Sequence, residues 1–307
     1  MKKESLLRNI SPPLQFFSFL AIILTSLIFT LLFSYLFAYL FWGENMFSLG
    51  FEISDNLSRE NVNFLKYIQI INQIGLFIIP VLFFAFLKNR NISAYLMIDK
   101  KPKLFSLFAS GVLIFVAMPF INWMVEINQM LDLPESLRII EDWMKSSEKD
   151  AELLTNAFLN VDTYLGFSVN LLMIAIIPAI GEEFLFRGVF QRIFTDWFKN
   201  VHVAIIVTAF IFSAFHLQFY GFLPRFMLGV LFGYLFVLTG SLWVPIFVHF
   251  VNNAAAVIVA FLARKNVIDI DYEEFGTVDN NIYIWVSCIF IALILNFIYI
   301  KERRIKA

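Results

Sequence analysis

The chain has 307 residues, of which 60% are hydrophobic and only 15% charged, and its formal net charge is -1. A soluble domain carries nearer a quarter charged residues, and nucleic-acid binding needs a basic surplus that is absent here, so composition excludes both classes. The single cysteine, Cys288, lies in an apolar run and has no internal disulfide partner.

Long apolar runs with few charges read as membrane-spanning helices. Eight follow in chain order: 14–42, 67–87, 104–127, 164 to about 190, 201–217, 223–238, 242–262 and 282–300. The first follows a basic start (Lys2, Lys3, Arg8), as a secretory signal does. It is too long for a signal core and no small-residue cleavage site follows, so it reads as an uncleaved span. Pro80, Pro119, Pro178 and Pro245 fall inside runs, which spanning helices tolerate. The predicted fold class is all-α, a polytopic bundle of about eight spans. No repeat or linker divides it: residues 1–163 (three spans and an outer loop) and 164–307 form one integrated domain.

Eight spans put both termini on one side. That side receives fifteen of the 23 Lys and Arg residues, the other side eight, while acidic residues gather in 43–66, 128–163 and 263–281. The positive-inside rule places both termini in the cytoplasm. In the longest loop, 128–163, Leu137, Ile140 and Met144 recur at helical spacing. This predicts a short amphipathic helix on the outer membrane face or a polar cap on the bundle.

Ionisable groups inside spans are costly and read as functional by default. The fourth span ends in Gly181-Glu182-Glu183-Phe184-Leu185-Phe186-Arg187-Gly188. Glu183 and Arg187, four apart, can pair on one face, while Glu182 points about 100° away and is free to face a cavity. A helix end emerging into water is the bland alternative. The fifth span contains Phe212-Ser213-Ala214-Phe215-His216, and the seventh His249-Phe250-Val251-Asn252-Asn253, with His249 and Asn253 on one face. His202 reads as a solvated end residue. Counting about 1.5 Å per residue, Glu182 and His216 lie deeper than His249. The groups therefore meet only if the hairpin near Asn200 projects into the cytoplasm, which would put the site in the cytoplasmic half of the membrane.

A carboxylate and two imidazoles in a wet intramembrane cavity suit hydrolysis. Glu182 can serve as general base on a water, His216 can hold that water, and His249 with Asn253 can stabilise an oxyanion. Alternatively, Glu182, His216 and His249 ligate a metal such as zinc, which activates the water. No H-E-x-x-H helix is present.

The ordered series Glu182-Glu183-x-x-x-Arg187, Phe212-x-x-x-His216 and His249-x-x-x-Asn253, with Thr239-Gly240-Ser241-Leu242-Trp243 before Pro245, resembles the CPBP family. This is also called the Abi or type II CAAX-protease family of intramembrane proteases. The resemblance covers roughly residues 164–262. It implies a helical-bundle protease with Glu182 as catalytic glutamate, His216 as its partner, His249 and Asn253 as carbonyl stabilisers, and Glu183 and Arg187 in support. The family is described as both metal-dependent and glutamate-based, so zinc stays open. It further implies a membrane-associated peptide or protein substrate, of the prenylated CAAX or bacteriocin type, and a bacterial inner membrane as the setting.

Two other readings compete: a non-proteolytic scaffold or immunity partner, and a proton-coupled transporter using the Glu/His groups as a relay. No inverted repeat supports the transporter. Elsewhere, Gly229-x-x-x-Gly233 suits close helix packing, Arg225 is expected to snorkel outward, and Asn72, Gln73, Asn122 and Asn296 to hydrogen-bond between helices. The abundant phenylalanine is expected to face lipid.

Overall fold

The computed structural model describes residues 5–49, 57–131, 133–269, 276–277 and 281–303. Lys2, Lys3, Arg304 and Lys306, which enter the orientation argument, lie outside the described residues. Nine long helices follow in order: α1 (Pro12–Trp42), α2 (Arg59–Lys88), α3 (Leu104–Gln129), α4 (Arg138–Leu159), α5 (Tyr164–Phe198), α6 (Val201–Ala214), α7 (Phe222–Thr239), α8 (Trp243–Arg264) and α9 (Ile282–Arg303). Seven are long and apolar enough to cross a membrane; α6 is apolar but has 14 residues, and α4 is the amphipathic one. The protein is a polytopic helical bundle.

Helix ends are set locally. Ser58, Thr163 and Asn200 accept backbone N–H bonds at the starts of α2, α5 and α6, satisfying donors that have no intrahelical partner. The turn from α7 to α8 needs a left-handed residue, and Gly240 supplies it at φ +65°. Inside α2 and α5 the helix widens into π-turns at Ile74–Ile78, Leu171–Ile176 and Phe184–Phe190. The first two lie just before Pro80 and Pro178. A proline has no N–H for the carbonyl four residues back, and the ladder shifts to accommodate the gap.

The described ends of the chain lie on one face. Leu7 N–H donates to Leu87 O (3.0 Å) and Ser5 Oγ to Lys88 O (2.8 Å). At the other end Lys103 Nζ pairs with Glu302 Oε2 at 2.7 Å. The turn between α7 and α8 joins the same face, where Ser241 Oγ donates to Lys100 O (2.6 Å) and Trp243 Nε1 to Ile98 O (2.8 Å). On the opposite face, α4 is a full 22-residue helix rather than a short one. Its Phe158 carbonyl accepts from the buried Lys66 ammonium at 3.0 Å, which also donates to Asn170 Oδ1 at 2.7 Å. Its Glu148 Oε2 accepts from Tyr220 N–H at 3.3 Å. Ile139, Ile140 and Trp143 near its start remain exposed.

Among the described residues two large apolar cores form, beside two smaller clusters around Phe64 and Val257. One packs α1, α2 and the second half of α5 with Phe212, Phe236, Leu242 and Ile246; the other packs α3, α7, α8 and α9. Phenylalanine does cover lipid-facing surfaces, such as Phe29 and Phe33 of α1, but Phe184, Phe186, Phe190, Phe194, Phe212, Phe232 and Phe236 are buried.

Candidate active site

The polar cluster sits at the seam between the two cores. Residues 181–191 of α5 are buried without interruption, and Glu183 and Arg187 have no exposed surface. Arg187 Nη1 donates to Glu183 Oε1 at 2.6 Å, and Nη2 donates to Gly229 O of α7 at 2.9 Å. The guanidinium lies between two rings, 4.9 Å from the Phe212 centroid and 5.3 Å from that of Phe232. This embeds a permanent cation in favourable ring faces. The α7 backbone comes so close because Gly229 packs directly on α6: a Cβ there would stand 3.0 Å from Ala209 Cβ. Gly229 and Gly233 thus serve packing inside the bundle.

The same Glu183 oxygen reaches α8. His249 Nδ1 lies 2.9 Å from Glu183 Oε1. An ionised carboxylate only accepts, so Nδ1 carries the proton and Nε2 is left as an acceptor in the neutral ring. Nε2 faces Glu182 Oε2 at 3.9 Å, beyond a direct hydrogen bond and within reach of a shared water. Glu182 Oε2 is buried and has no hydrogen-bond partner in the protein. Glu183 Oε2 and Arg187 Nε are unpartnered as well, but the two carboxylates differ in their charged neighbours: Glu183 Oε1 meets a cation and an imidazole, whereas Glu182 has only His249 Nε2 at 3.9 Å.

His216 lies just beyond α6, in a turn rather than a helix, with Nδ1 2.9 Å from Phe212 O. It stands close enough to Glu182 and His249 to feel both electrostatically. The next residue, Leu217, is held in the left-handed region at φ 53°, a strained conformation for a branched side chain. Asn253 does not join Glu182 directly. Its Nδ2 donates to Ile174 O at 3.0 Å, and its Oδ1 accepts from Asn252 Nδ2 at 3.1 Å. Ile174 is four residues before Pro178, so Asn253 satisfies the carbonyl for which the proline has no donor.

Several sequence expectations change. The turn at Lys199 and Asn200 does not project beyond the turn at Gly240, because His202 Nδ1 meets Tyr234 Oη (2.8 Å) and Ala209 meets Gly229. Counted along the helices, Gly229 is about 10 Å from Phe222 and about 15 Å from Thr239, whereas His249 is about 9 Å from Trp243 and about 22 Å from Arg264. Arg225 does not snorkel outward: its guanidinium folds back to bond the side chain and carbonyl of Gln218. His202 is exposed but bonded to Tyr234. The side-chain oxygens of Asn72 and Gln73 find no partner. Phe212 and Phe232, which sandwich Arg187, were not singled out from sequence, although Phe212 opens the Phe212-x-x-x-His216 motif.

Among the described residues, no three His, Cys, Asp or Glu side chains are placed to hold a metal ion. Both rings engage Nδ1, His216 with Phe212 O and His249 with Glu183, which leaves Nε2 as the nitrogen that a metal would take.

Residues 164–255 match the family model described as type II CAAX prenyl endopeptidase Rce1-like. The match spans less than a third of the chain and contains Glu182, Glu183, Arg187, His216, His249 and Asn253. No curated protein and no solved structure matches the chain. The segment that carries the buried Glu-Arg-His network is thus similar to the Rce1-like type II CAAX prenyl endopeptidase family.

Proposed function

We propose that the protein is an intramembrane endopeptidase in which Glu182 activates the attacking water. The observation that carries this reading is that Glu183 is held by Arg187 and His249 through Oε1, whereas Glu182 places Oε2 3.9 Å from His249 Nε2 with no bonded cation. Glu182 takes a proton from water, and the oxygen adds to the scissile carbonyl carbon. The C–N bond then breaks as that proton passes to the leaving amine. His216 helps hold the water. His249, oriented by Glu183, stabilises the oxyanion when its ring is protonated, and Asn253 contributes its second amide proton.

The substrate in this reading is a membrane-associated protein or peptide of the CAAX or bacteriocin-precursor type. The setting is a bacterial inner membrane with both termini cytoplasmic, an orientation supported by the fifteen-to-eight distribution of Lys and Arg. The test is cleavage of a reporter-peptide library by purified protein, wild type beside Glu182→Gln, each with and without a chelator. Loss of cleavage in the variant supports the mechanism, and the chelator response decides whether a zinc-type ion takes part. Equal cleavage by both proteins refutes Glu182 as the base and favours a scaffold role for the cluster.

A further inference from the structure

We propose that the cavity around the buried Lys66 ammonium, between the starts of α2 and α5 and the end of α4, holds the phosphate group of a membrane phospholipid. This site is separate from the Glu/His cluster and does not depend on the protease reading.

Lys66 is 7% exposed. Its Nζ donates to Phe158 O and to Asn170 Oδ1, and Asn170 Nδ2 donates to the same Phe158 carbonyl at 2.6 Å. This triangle fixes the position of the ammonium, but both of its acceptors are neutral. Among the described residues no carboxylate pairs with Lys66, whereas the other fully enclosed cation, Arg187, has Glu183. Buried charges are normally paired, because neutral hydrogen bonds solvate a charge without cancelling it. An ammonium has three donors. Two are engaged inside the protein, and one is left for an anionic ligand.

Lys66 lines a cavity of about 750 Å³, with Arg59 and Asn63 of α2 and the first turn of α5 at Thr163, Leu165 and Gly166. Arg59 adds a second cation and Asn63 an amide donor. The first turn of a long helix adds backbone N–H groups without intrahelical partners, which favour an anion. Asp162 also lines the cavity, but it is exposed to water, and one carboxylate leaves the two cations in surplus. The membrane supplies the ligand by position. Two spans, α2 and α5, begin here at Arg59 and Tyr164, which sets the cavity at the level of the headgroups. Val62, Leu165 and Val169 share its wall, and Leu165 is 77% exposed. A cationic floor with an apolar wall leading to lipid suits a phosphodiester with attached acyl chains, and the cavity is far larger than a free phosphate needs.

The test uses full-length protein, stripped of lipid in a non-ionic maltoside detergent. Three probes are added separately: dihexanoyl phosphatidylglycerol, dihexanoylglycerol (the same chains without phosphate) and inorganic phosphate. Native mass spectrometry counts bound lipid, and thermal unfolding followed by tryptophan fluorescence reads stabilisation. Phosphatidylglycerol is expected to bind and to raise the Tm by a few degrees, and the other two probes to leave it unchanged. Lys66→Met keeps the long unbranched stem and removes the unpaired charge, so folding is not threatened; it should weaken phosphatidylglycerol binding at least about tenfold. Arg59→Gln, at an exposed position, should weaken it severalfold and takes over the test should Lys66→Met fail to fold by gel filtration. Equal stabilisation by dihexanoylglycerol shows an acyl-chain groove and overturns the proposal. Equal stabilisation by inorganic phosphate overturns the lipid assignment, and wild-type affinity in Lys66→Met overturns the role of the buried cation.

Discussion

Replacing Arg187 with Met tests whether the Glu183–Arg187 pair is the structural keystone of the site. The substitution keeps a long unbranched side chain but strands the Glu183 carboxylate at zero exposure, 2.9 Å from the His249 ring. It also removes the donor to Gly229 O. Breaking a buried pair from one side costs about 3–5 kcal/mol, because a charge is left uncompensated. The lost guanidinium–ring contacts add about 0.5–2 kcal/mol. That total is a large part of the roughly 5–15 kcal/mol that holds a typical domain together. Adding Glu183→Gln removes the stranded charge while keeping an oxygen for His249 Nδ1. The double variant is therefore expected to be more stable than Arg187→Met alone by about 2 kcal/mol or more. Reversible unfolding in mixed detergent micelles, followed by tryptophan fluorescence, measures both differences. A loss below about 1 kcal/mol for Arg187→Met, or a double variant no better than the single one, refutes the reasoning, since either would place the pair in surface-like solvation.

Two further predictions concern packing and pH. Gly229→Ala pushes a methyl group to 3.0 Å from Ala209 Cβ and 3.1 Å from Ala209 Cα. Backbone cannot swing aside, so the unfolding free energy should fall by about 1–3 kcal/mol; an unchanged value would mean that α6 and α7 do not approach this closely. Tyr95, in the short helix Ile92–Tyr95 between two spans, is pushed up to about 12 by burial. An unfolded tyrosine ionises near 10, so between those values the folded state holds a proton that the unfolded state has lost. This contribution is intact below about pH 10 and is lost as pH rises towards about 12, by roughly 2–3 kcal/mol. Stability titrations of wild type and Tyr95→Phe should diverge in that window, and parallel curves would show that Tyr95 is not buried in solution.

The bundle was legible because apolar run length responds to bilayer thickness alone, with no knowledge of neighbours needed. The i, i+4 relation between Glu183 and Arg187 was equally local, and the two side chains do pair. What lay beyond reach was set by tertiary context. No sequence rule tells that the carbonyl bound by Arg187 belongs to Gly229, since only the close approach of α6 and α7 brings it there. The π-turns were equally hidden, because they leave little pattern in the residues themselves. Their signal was nonetheless present: Pro80 and Pro178 each remove a backbone donor at a predictable place. Arg225 was read as lipid-facing because a helix start near the interface normally lets arginine escape to water. Here the neighbouring turn offers Gln218 instead.

Pro178 also supplies the way to separate the two tasks open to Asn253. In its structural task the amide donates to Ile174 O at 3.0 Å, and Asn253→Ala leaves that buried carbonyl without a donor, at a cost of about 1–3 kcal/mol. Pro178→Ala restores a backbone N–H four residues from Ile174, which can accept the carbonyl directly and close the helical ladder. In the Pro178→Ala background the stability cost of Asn253→Ala should therefore shrink, and the coupling is read from a double-mutant cycle. Reporter-peptide cleavage then discriminates between the tasks. Stability regained with cleavage still lost means that Asn253 acts on the substrate carbonyl. Stability and cleavage regained together mean that its work is to hold α5 and α8 in register. A cost of Asn253→Ala that is the same in both backgrounds would break the link between the proline and the asparagine, and with it the structural account of why an asparagine stands four residues beyond His249.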